Sequence, residues 1–101
     1  MEENRAFLVI TAIVNKQNIT EIPAYLGSVM QIFGQNGGKP VAKFKTVEQL
    51  SGNESPEMIA IIEFPEVDVI KTMINGDQFM ALSEIRERVF SKLNMMICTD
   101  L

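Results

Sequence analysis

The chain has 101 residues, a formal net charge of -4, one Cys, no His and no Trp. The lack of His excludes an imidazole base, a His-ligated metal and a Ser–His or Cys–His nucleophile pair, and a single Cys excludes thiolate zinc sites and internal disulfides. With 47% hydrophobic residues in one domain's length of chain, we expect a single folded domain over residues 1–101 that uses no cofactor and no metal.

The charge balance and the first residues predict where the protein is located and which partners it does not bind. Its pI is about 4.7, and the apolar run over residues 6–14 follows an acidic start and is too short to span a membrane. The only local basic cluster is Lys39, Lys43 and Lys45, which we interpret as a device that protects an edge strand from aggregation. We therefore predict a cytoplasmic protein that binds neither nucleic acid nor membranes.

The first third of the chain predicts a strand and then a helix. Residues 6–14 are apolar at odd and even positions, which is typical of a strand buried on both faces. Thr20 or a neighbour can cap a helix that takes Pro23 in its first turn, and Gly37 and Gly38 can end it with a left-handed backbone. The inward stripe of this helix has steps of three and four residues: Ile22, Tyr25, Leu26, Val29, Met30 and Phe33.

Two further strands are predicted in the middle of the chain. Residues 39–50 alternate, with Lys43 and Lys45 on one side and Ala42, Phe44 and Thr46 on the other, which favours an edge strand. Residues 58–64 are apolar on both parities and predict a central strand.

If these two strands form a hairpin, we predict the register that places Leu50 opposite Met58. Two favourable cross-strand pairs support this register, one aromatic and one of opposite charge: Phe44 beside Phe64 and Lys45 beside Glu63.

The last third predicts helices and a closing strand. A short helix with Val67, Ile70, Met73 and Ile74 follows Pro65 and ends at Asn75 and Gly76. Asp77 can cap a second helix, and residues 93–99 can form the last strand. The apolar residues that this second helix turns inward are Phe79, Leu82, Ile85 and Val89.

The order of these elements predicts an α+β fold, a ferredoxin-like βαββαβ sandwich with a four-stranded antiparallel sheet and helices on one face. In that topology the first and third strands lie in the middle of the sheet. They are also the two strands that are apolar on both sides.

An antiparallel sheet with helices on one side should carry polar residues on its other side, yet both parities are apolar here. One set comprises Leu8, Ile10, Ile59, Ile61, Leu93, Met95 and Ile97, and the other comprises Phe7, Val9, Ala60, Ile62, Met96 and Cys98. One of these sets lacks an internal cover, and exposing it would invite aggregation. We therefore predict a homodimer that packs sheet against sheet.

The sequence also resembles a small bacterial family of domains of unknown function in the dimeric α/β-barrel superfamily. The resemblance covers residues 5–99 and is carried by three segments: Ile32-Phe33 followed by Gly37-Gly38-Lys39, then Ile62-Glu63-Phe64-Pro65, and the helix from Gln78 to Arg86. Relatives in the superfamily include cofactor-free monooxygenases of aromatic polyketides and other barrels that bind small molecules. The chain departs from the monooxygenase pattern in lacking Trp and His, and it carries Phe79 where the resemblance implies Tyr.

Three residues are candidates for ligand binding. Tyr25 lies on the inward helix stripe, where its hydroxyl either faces a cavity or sits at the rim of an ordinary core. Glu63 in a central strand is either a proton-transfer carboxylate or the partner of Lys43 or Lys45. Arg86 can bind a carboxylate or be paired structurally, and Cys98 is interpreted as a buried, inert thiol.

The functional hypothesis is an uncharacterised homodimeric barrel that holds a small, partly apolar molecule in a cleft between sheet and helices. A cofactor-free enzyme would use Tyr25, Glu63 and Arg86 around one pocket. The alternative is a non-catalytic module that senses a metabolite or serves as an assembly interface.

Overall fold

The computed structural model describes residues 5–101, and its elements follow the predicted order. The strands are β1 (Ala6–Val14), β2 (Lys39–Lys45), β3 (Met58–Phe64) and β4 (Phe90–Thr99). The helices are α1 (Ile22–Gln35), α2 (Val67–Ile74), α3 (Asp77–Met80) and α4 (Ser83–Val89), and a short 3-10 helix, Lys16–Glu21, precedes α1. None of the helices within residues 5–101 has the length and apolar character needed to cross a bilayer.

The four strands form one antiparallel sheet in the order β2-β3-β1-β4. The two strands that are apolar on both parities, β1 and β3, therefore lie in the middle, as the sequence predicts. The ferredoxin-like α+β topology is confirmed.

One side of the sheet, which we name the covered face, carries the core. Its residues alternate along the strands and pair across them, as in Leu8 opposite both Ile62 and Ile97. The covered face comprises Ala6, Leu8, Ile10 and Ala12 in β1, Ala60, Ile62 and Phe64 in β3, and Leu93, Met95 and Ile97 in β4. The helices bury it with Val29, Phe33, Ile70, Met73, Phe79 and Val89.

The other side, which we name the open face, has no helix over it among the described residues. It comprises Phe7, Val9, Thr11 and Ile13 in β1, Ile59, Ile61 and Glu63 in β3, Ala42 and Phe44 in β2, and Asn94, Met96 and Cys98 in β4. The sequence grouping that placed Ile59 and Ile61 with Leu8 was wrong. Ile10 pairs with Ala60, so the even residues of β1 and β3 share a face.

The predicted register of β2 and β3 was also wrong. Lys45 lies opposite Met58 and Lys39 opposite Glu63, because β2 ends at Lys45 and does not continue to Leu50. The pairing shifts between Pro40 and Ala42, where an irregularity interrupts this edge strand.

The residue that fixes this register is Glu57, at the end of a long loop over residues 46–57. Thr46 N–H donates to the Glu57 carbonyl at 3.0 Å, and Glu57 N–H donates to the Ala12 carbonyl at 2.9 Å. The Glu57 carboxylate in turn accepts from Val14 N–H at 2.9 Å. These bonds tie the loop to the end of β1. The last strand pair of the hairpin is therefore Lys45 with Met58, and not Leu50 with Met58 as the favourable side-chain pairs predicted.

The two glycines after α1 have different structural roles. Gly37 adopts a φ of +81°, the left-handed conformation predicted for the helix end. Gly38 lies against the core, where an added Cβ would be 2.7 Å from the Phe64 ring and 2.8 Å from the Phe33 carbonyl. The end of α1 can therefore approach β3 closely only with a glycine at position 38.

Four local predictions need correction. Thr20 lies within the 3-10 helix, and its neighbour Glu21 takes the N-cap position of α1 without a side-chain capping bond. The 3-10 helix is capped by Asn15, whose side chain accepts from Gln17 N–H at 3.1 Å. Asp77 is the first residue of α3 and does not cap it. The predicted second helix is interrupted between α3 and α4, and β4 begins at Phe90, three residues earlier than expected.

Candidate functional site

A cleft of about 370 Å³ opens between α1 and the covered face, towards the β2 edge. Helix α1 contributes Leu26, which is 37% exposed, and the half-buried Met30, so the core is incompletely closed here. The lining residues, which we name together the cleft, are Ile10, Tyr25, Leu26, Val29, Met30, Phe33, Lys43, Phe44, Lys45, Met58, Ile59, Ala60, Phe79, Phe90, Leu93 and Met95. Two of them, Phe44 and Ile59, border the cleft although their strand positions belong to the open face. A pocket of this size and apolar character can hold a small molecule.

The charged residues that line the cleft carry one sign. Lys43 and Lys45 pair with Ala60 and Met58 of β3, so they lie on the helix side of the sheet at the cleft mouth. Among the described residues, no Asp or Glu lines the cleft. In a protein with a net charge of -4, the cleft mouth is therefore locally positive.

The wall of the cleft holds one polar side chain of α1, Tyr25, which is paired with Arg86 of α4. Tyr25 is 5% exposed, and its hydroxyl accepts a hydrogen bond from Arg86 Nε at 3.0 Å. Arg86 Nη2 donates to the Phe79 carbonyl at 2.8 Å, and the guanidinium carbon lies 3.9 Å from the centre of the Phe79 ring. Phe90 packs edge-on against the Tyr25 ring with centroids 5.6 Å apart. Aromatic packing and two hydrogen bonds therefore fix the orientation of both polar groups.

Hydrogen-bonding capacity is left over in this pair. The Tyr25 hydroxyl accepts from Arg86, so its own proton is available, and no described residue accepts it. Arg86 Nη1 likewise donates to no described residue. Arg86 does not line the cleft itself but lies against two residues that do, Tyr25 and Phe79.

The three arginines of the chain differ in their counter-charges. Arg5 and Arg88 are exposed, and carboxylate oxygens of Asp100 and Glu21 lie 3.0 and 2.9 Å from their guanidinium nitrogens. Arg86 is half-buried, yet no carboxylate of the described residues lies within 4.0 Å of it. The most buried arginine is thus the one without a counter-charge, and this arrangement favours an anionic partner.

Glu63 lies apart from this pair. It occupies the open face, opposite Phe7 and Lys39, and its Oε1 is 3.9 Å from Arg5 Nη1. The hydrogen bonds and charge of Asp100 raise the pKa of the Arg5 guanidinium, and Glu63 adds a smaller contribution. The expectation that Tyr25, Glu63 and Arg86 surround one pocket does not hold, because Ile62 and Phe64, the neighbours of Glu63, take the covered face.

The lone thiol, Cys98, is half-buried on the open face opposite Phe7. It lies on the opposite side of the sheet from the cleft.

Sequence reasoning missed the position of Lys43 and Lys45 at the cleft. The alternation of these lysines with Phe44 is visible in the sequence and places the two lysines on one side of the strand and Phe44 on the other. What was missing is the register with β3, which decides that the lysines take the covered side and Phe44 the open side.

Solved structures with the same fold are similar to this chain at low sequence identity. A protein of unknown function from Rhodopseudomonas palustris has a TM-score of 0.81 at 17% identity, with 99% of this chain and 85% of that chain covered. A dabb family protein with a ferredoxin-like fold from Mesorhizobium loti has a TM-score of 0.69 at 12% identity, covering 98% and 99%. A dimeric ferredoxin-like protein of unknown function from Thermobifida fusca has a TM-score of 0.66 at 7% identity, covering 99% and 94%.

A search of curated proteins finds no match to this chain. The model of a protein family described as a domain of unknown function, DUF1330, matches residues 5–101. Because that match spans almost the entire sequence, this chain belongs to the DUF1330 family.

Proposed function

We propose that the protein is a homodimer in which two open faces pack against each other. The middle of the open face is apolar: Ala42, Ile61, Val9 and Met96 lie in register across the four strands, and Met96 is 50% exposed. Its ends are polar, with Arg5 and Glu63 at one end and Asn94 at the other. An apolar centre within a polar border is the usual anatomy of a stable interface. Similar folds from Thermobifida fusca and Bacteroides fragilis are described as dimeric, which supports the proposal.

The dimer is tested with Ile61→Lys, which places a charge at the centre of the open face. We expect the wild type to sediment at twice the 11.3 kDa of one chain at micromolar concentration, and the variant to sediment as a folded monomer. Asn94→Lys, at the polar end of the same face, is the matched control and should remain dimeric. A wild type that is monomeric and folded under these conditions would overturn the proposal.

We propose further that the cleft binds a small, partly apolar molecule. The observation that carries this proposal is an apolar cavity with one unused donor on its wall, the Tyr25 hydroxyl proton, next to the Arg86 guanidinium that holds that hydroxyl. A few fixed polar groups within an apolar lining are typical of small-molecule sites. The proposal is for binding. A cofactor-free reaction at this site would have to proceed with Tyr25 and Arg86 and without the carboxylate of Glu63.

Binding is tested by unfolding midpoints measured against a panel of aromatic and aliphatic small molecules. A ligand at about 100 times its Kd should stabilise the protein by about 2.7 kcal/mol. Leu26→Trp, which fills the cleft, should abolish this shift, whereas Ala24→Trp on the exposed side of α1 should preserve it. A stabilising compound that is converted to product would indicate an enzyme, and one that is not would indicate a sensor. No stabilisation by any compound would contradict the proposal and favour a purely structural role.

A further inference from the structure

The unpaired groups that line the cleft, and the Arg86 guanidinium that contacts one of them, share a chemical property. The Tyr25 hydroxyl offers a proton, Arg86 Nη1 offers two, and Lys43 and Lys45 offer ammonium protons. No carboxylate of the described residues lines the cleft or lies within 4.0 Å of Arg86. The cleft therefore presents hydrogen-bond donors and positive charge without a matching acceptor or negative charge.

We infer that the ligand of the cleft is an amphipathic carboxylate, whose carboxylate accepts the unused hydroxyl proton of Tyr25 beside the Arg86 guanidinium and whose apolar part fills the cleft. This inference rests on the proposed binding function and adds the chemical class of the ligand.

Tyr25 is the residue best placed for this contact, because it lines the cleft and is only 5% exposed. Its hydroxyl is held by the bond from Arg86 Nε, so the remaining proton has a restricted direction. A hydrogen bond to a charged acceptor is stronger than one between neutral groups, and its advantage is larger where water is excluded. A carboxylate at this position also supplies the counter-charge that Arg86 lacks.

Lys43 and Lys45 have a different role. Both side chains are exposed at the cleft mouth, where solvent and salt screen their charges. They attract an anion towards the cleft and raise its association rate more than they raise its affinity. The two lysines therefore act on the association of the anion, whereas Tyr25 holds its carboxylate once it is bound.

The test compares a carboxylate with a neutral molecule of nearly the same shape, naphthalene-2-carboxylate and naphthalene-2-carboxamide, by isothermal titration calorimetry. We expect the wild type to bind the carboxylate at least about tenfold more tightly than the amide. Equal affinities would overturn the carboxylate inference and leave the proposed binding function standing. If neither compound binds the wild type, both fail.

The position of the carboxylate is tested with Tyr25→Phe, which removes the hydroxyl and keeps the ring. We expect the preference for the carboxylate over the amide to fall to near unity, because the carboxylate loses a charge-assisted hydrogen bond and the amide only a weaker neutral one. Arg86→Lys keeps the charge and should retain part of the preference, whereas Arg86→Gln should lose it. Circular dichroism and unfolding midpoints establish that each variant is folded before binding is measured.

The double variant Lys43→Gln and Lys45→Gln serves as the control at the cleft mouth. We expect it to weaken carboxylate binding by at most about threefold, an effect that should vanish at high salt. A loss as large as that of Tyr25→Phe would place the carboxylate at the mouth and overturn its assignment to Tyr25.

Discussion

The two faces of the sheet are built from the same kinds of residue and differ in what covers them. On the covered face, Leu8, Ile62 and Phe64 are each 1% exposed beneath the helices. On the open face, the equivalent positions Phe7 and Ile61 are half-buried, and Met96 is 50% exposed. Apolar composition alone therefore does not show which side of a sheet a chain covers by itself.

This difference also separates the two proposed functions. The covered face is closed by the chain's own helices except at the cleft, where α1 leaves room for a small molecule. The open face is broad, has a polar border and is suited to a second copy of the chain. Substitutions on the two faces should consequently differ in how their effects depend on protein concentration.

The largest effect is expected for Phe64→Ala on the covered face. Phe64 is 1% exposed and packs edge-on against Phe33 with ring centroids 5.9 Å apart. Removal of a buried Phe side chain typically costs about 3 to 5 kcal/mol of the free energy of unfolding, because contacts are lost and a cavity remains. The measurement is urea unfolding at two protein concentrations, and the loss relative to wild type should be the same at both.

The matched variant on the open face is Phe7→Ala. Phe7 of β1 lies opposite Glu63 of β3, next to the pair formed by Ala6 and Phe64. Because Phe7 is half-buried in the single chain and lies on the face that the proposed dimer covers, the loss for Phe7→Ala relative to wild type should grow as the protein concentration rises. An equally large, concentration-independent loss for Phe7→Ala would remove the distinction between the faces.

An intermediate effect is expected for Gly38→Ala, where α1 meets the covered face. The added Cβ would clash with the Phe64 ring and with the Phe33 carbonyl, and such overpacking typically costs about 1 to 3 kcal/mol. Gly34→Ala, within α1, is the control, since nothing lies within 4 Å of its added Cβ and the change should stabilise the helix by about 0.5 to 1 kcal/mol. Thermal unfolding of the two variants should give shifts of opposite sign. A neutral or stabilising Gly38→Ala would contradict the close approach.

The elements could be predicted from the sequence because each depends on local periodicity. The stripe that includes Tyr25 and Val29 predicts α1, and the doubly apolar runs predict that β1 and β3 are central. The pairing offsets could not be predicted in the same way. They depend on hydrogen bonds between residues far apart in the chain, such as those that tie Glu57 to Ala12 and Val14.

The candidate site was predictable only in part for the same reason. Tyr25 and Arg86 could be chosen individually by their residue types and by the faces of their helices. Their 3.0 Å contact joins residues 61 positions apart and depends on how α4 packs near α1, which no helix pattern indicates. Glu63 was grouped with them because its residue type suited proton chemistry, and the register then placed it on the open face.

The smallest effect is expected at the polar end of the open face. Lys92 Nζ lies 3.0 Å from Glu54, and both side chains are more than half exposed. Because solvent screens such a pair, Lys92→Gln should change the free energy of unfolding by at most about 0.5 kcal/mol, and raising the salt concentration should reduce even that difference. Urea titrations of the variant and the wild type at low and high salt measure it. Exposed ion pairs rarely contribute more than about 1 kcal/mol within a single chain. A larger loss in the free energy of unfolding would therefore mean that the polar border of the open face also stabilises the dimer.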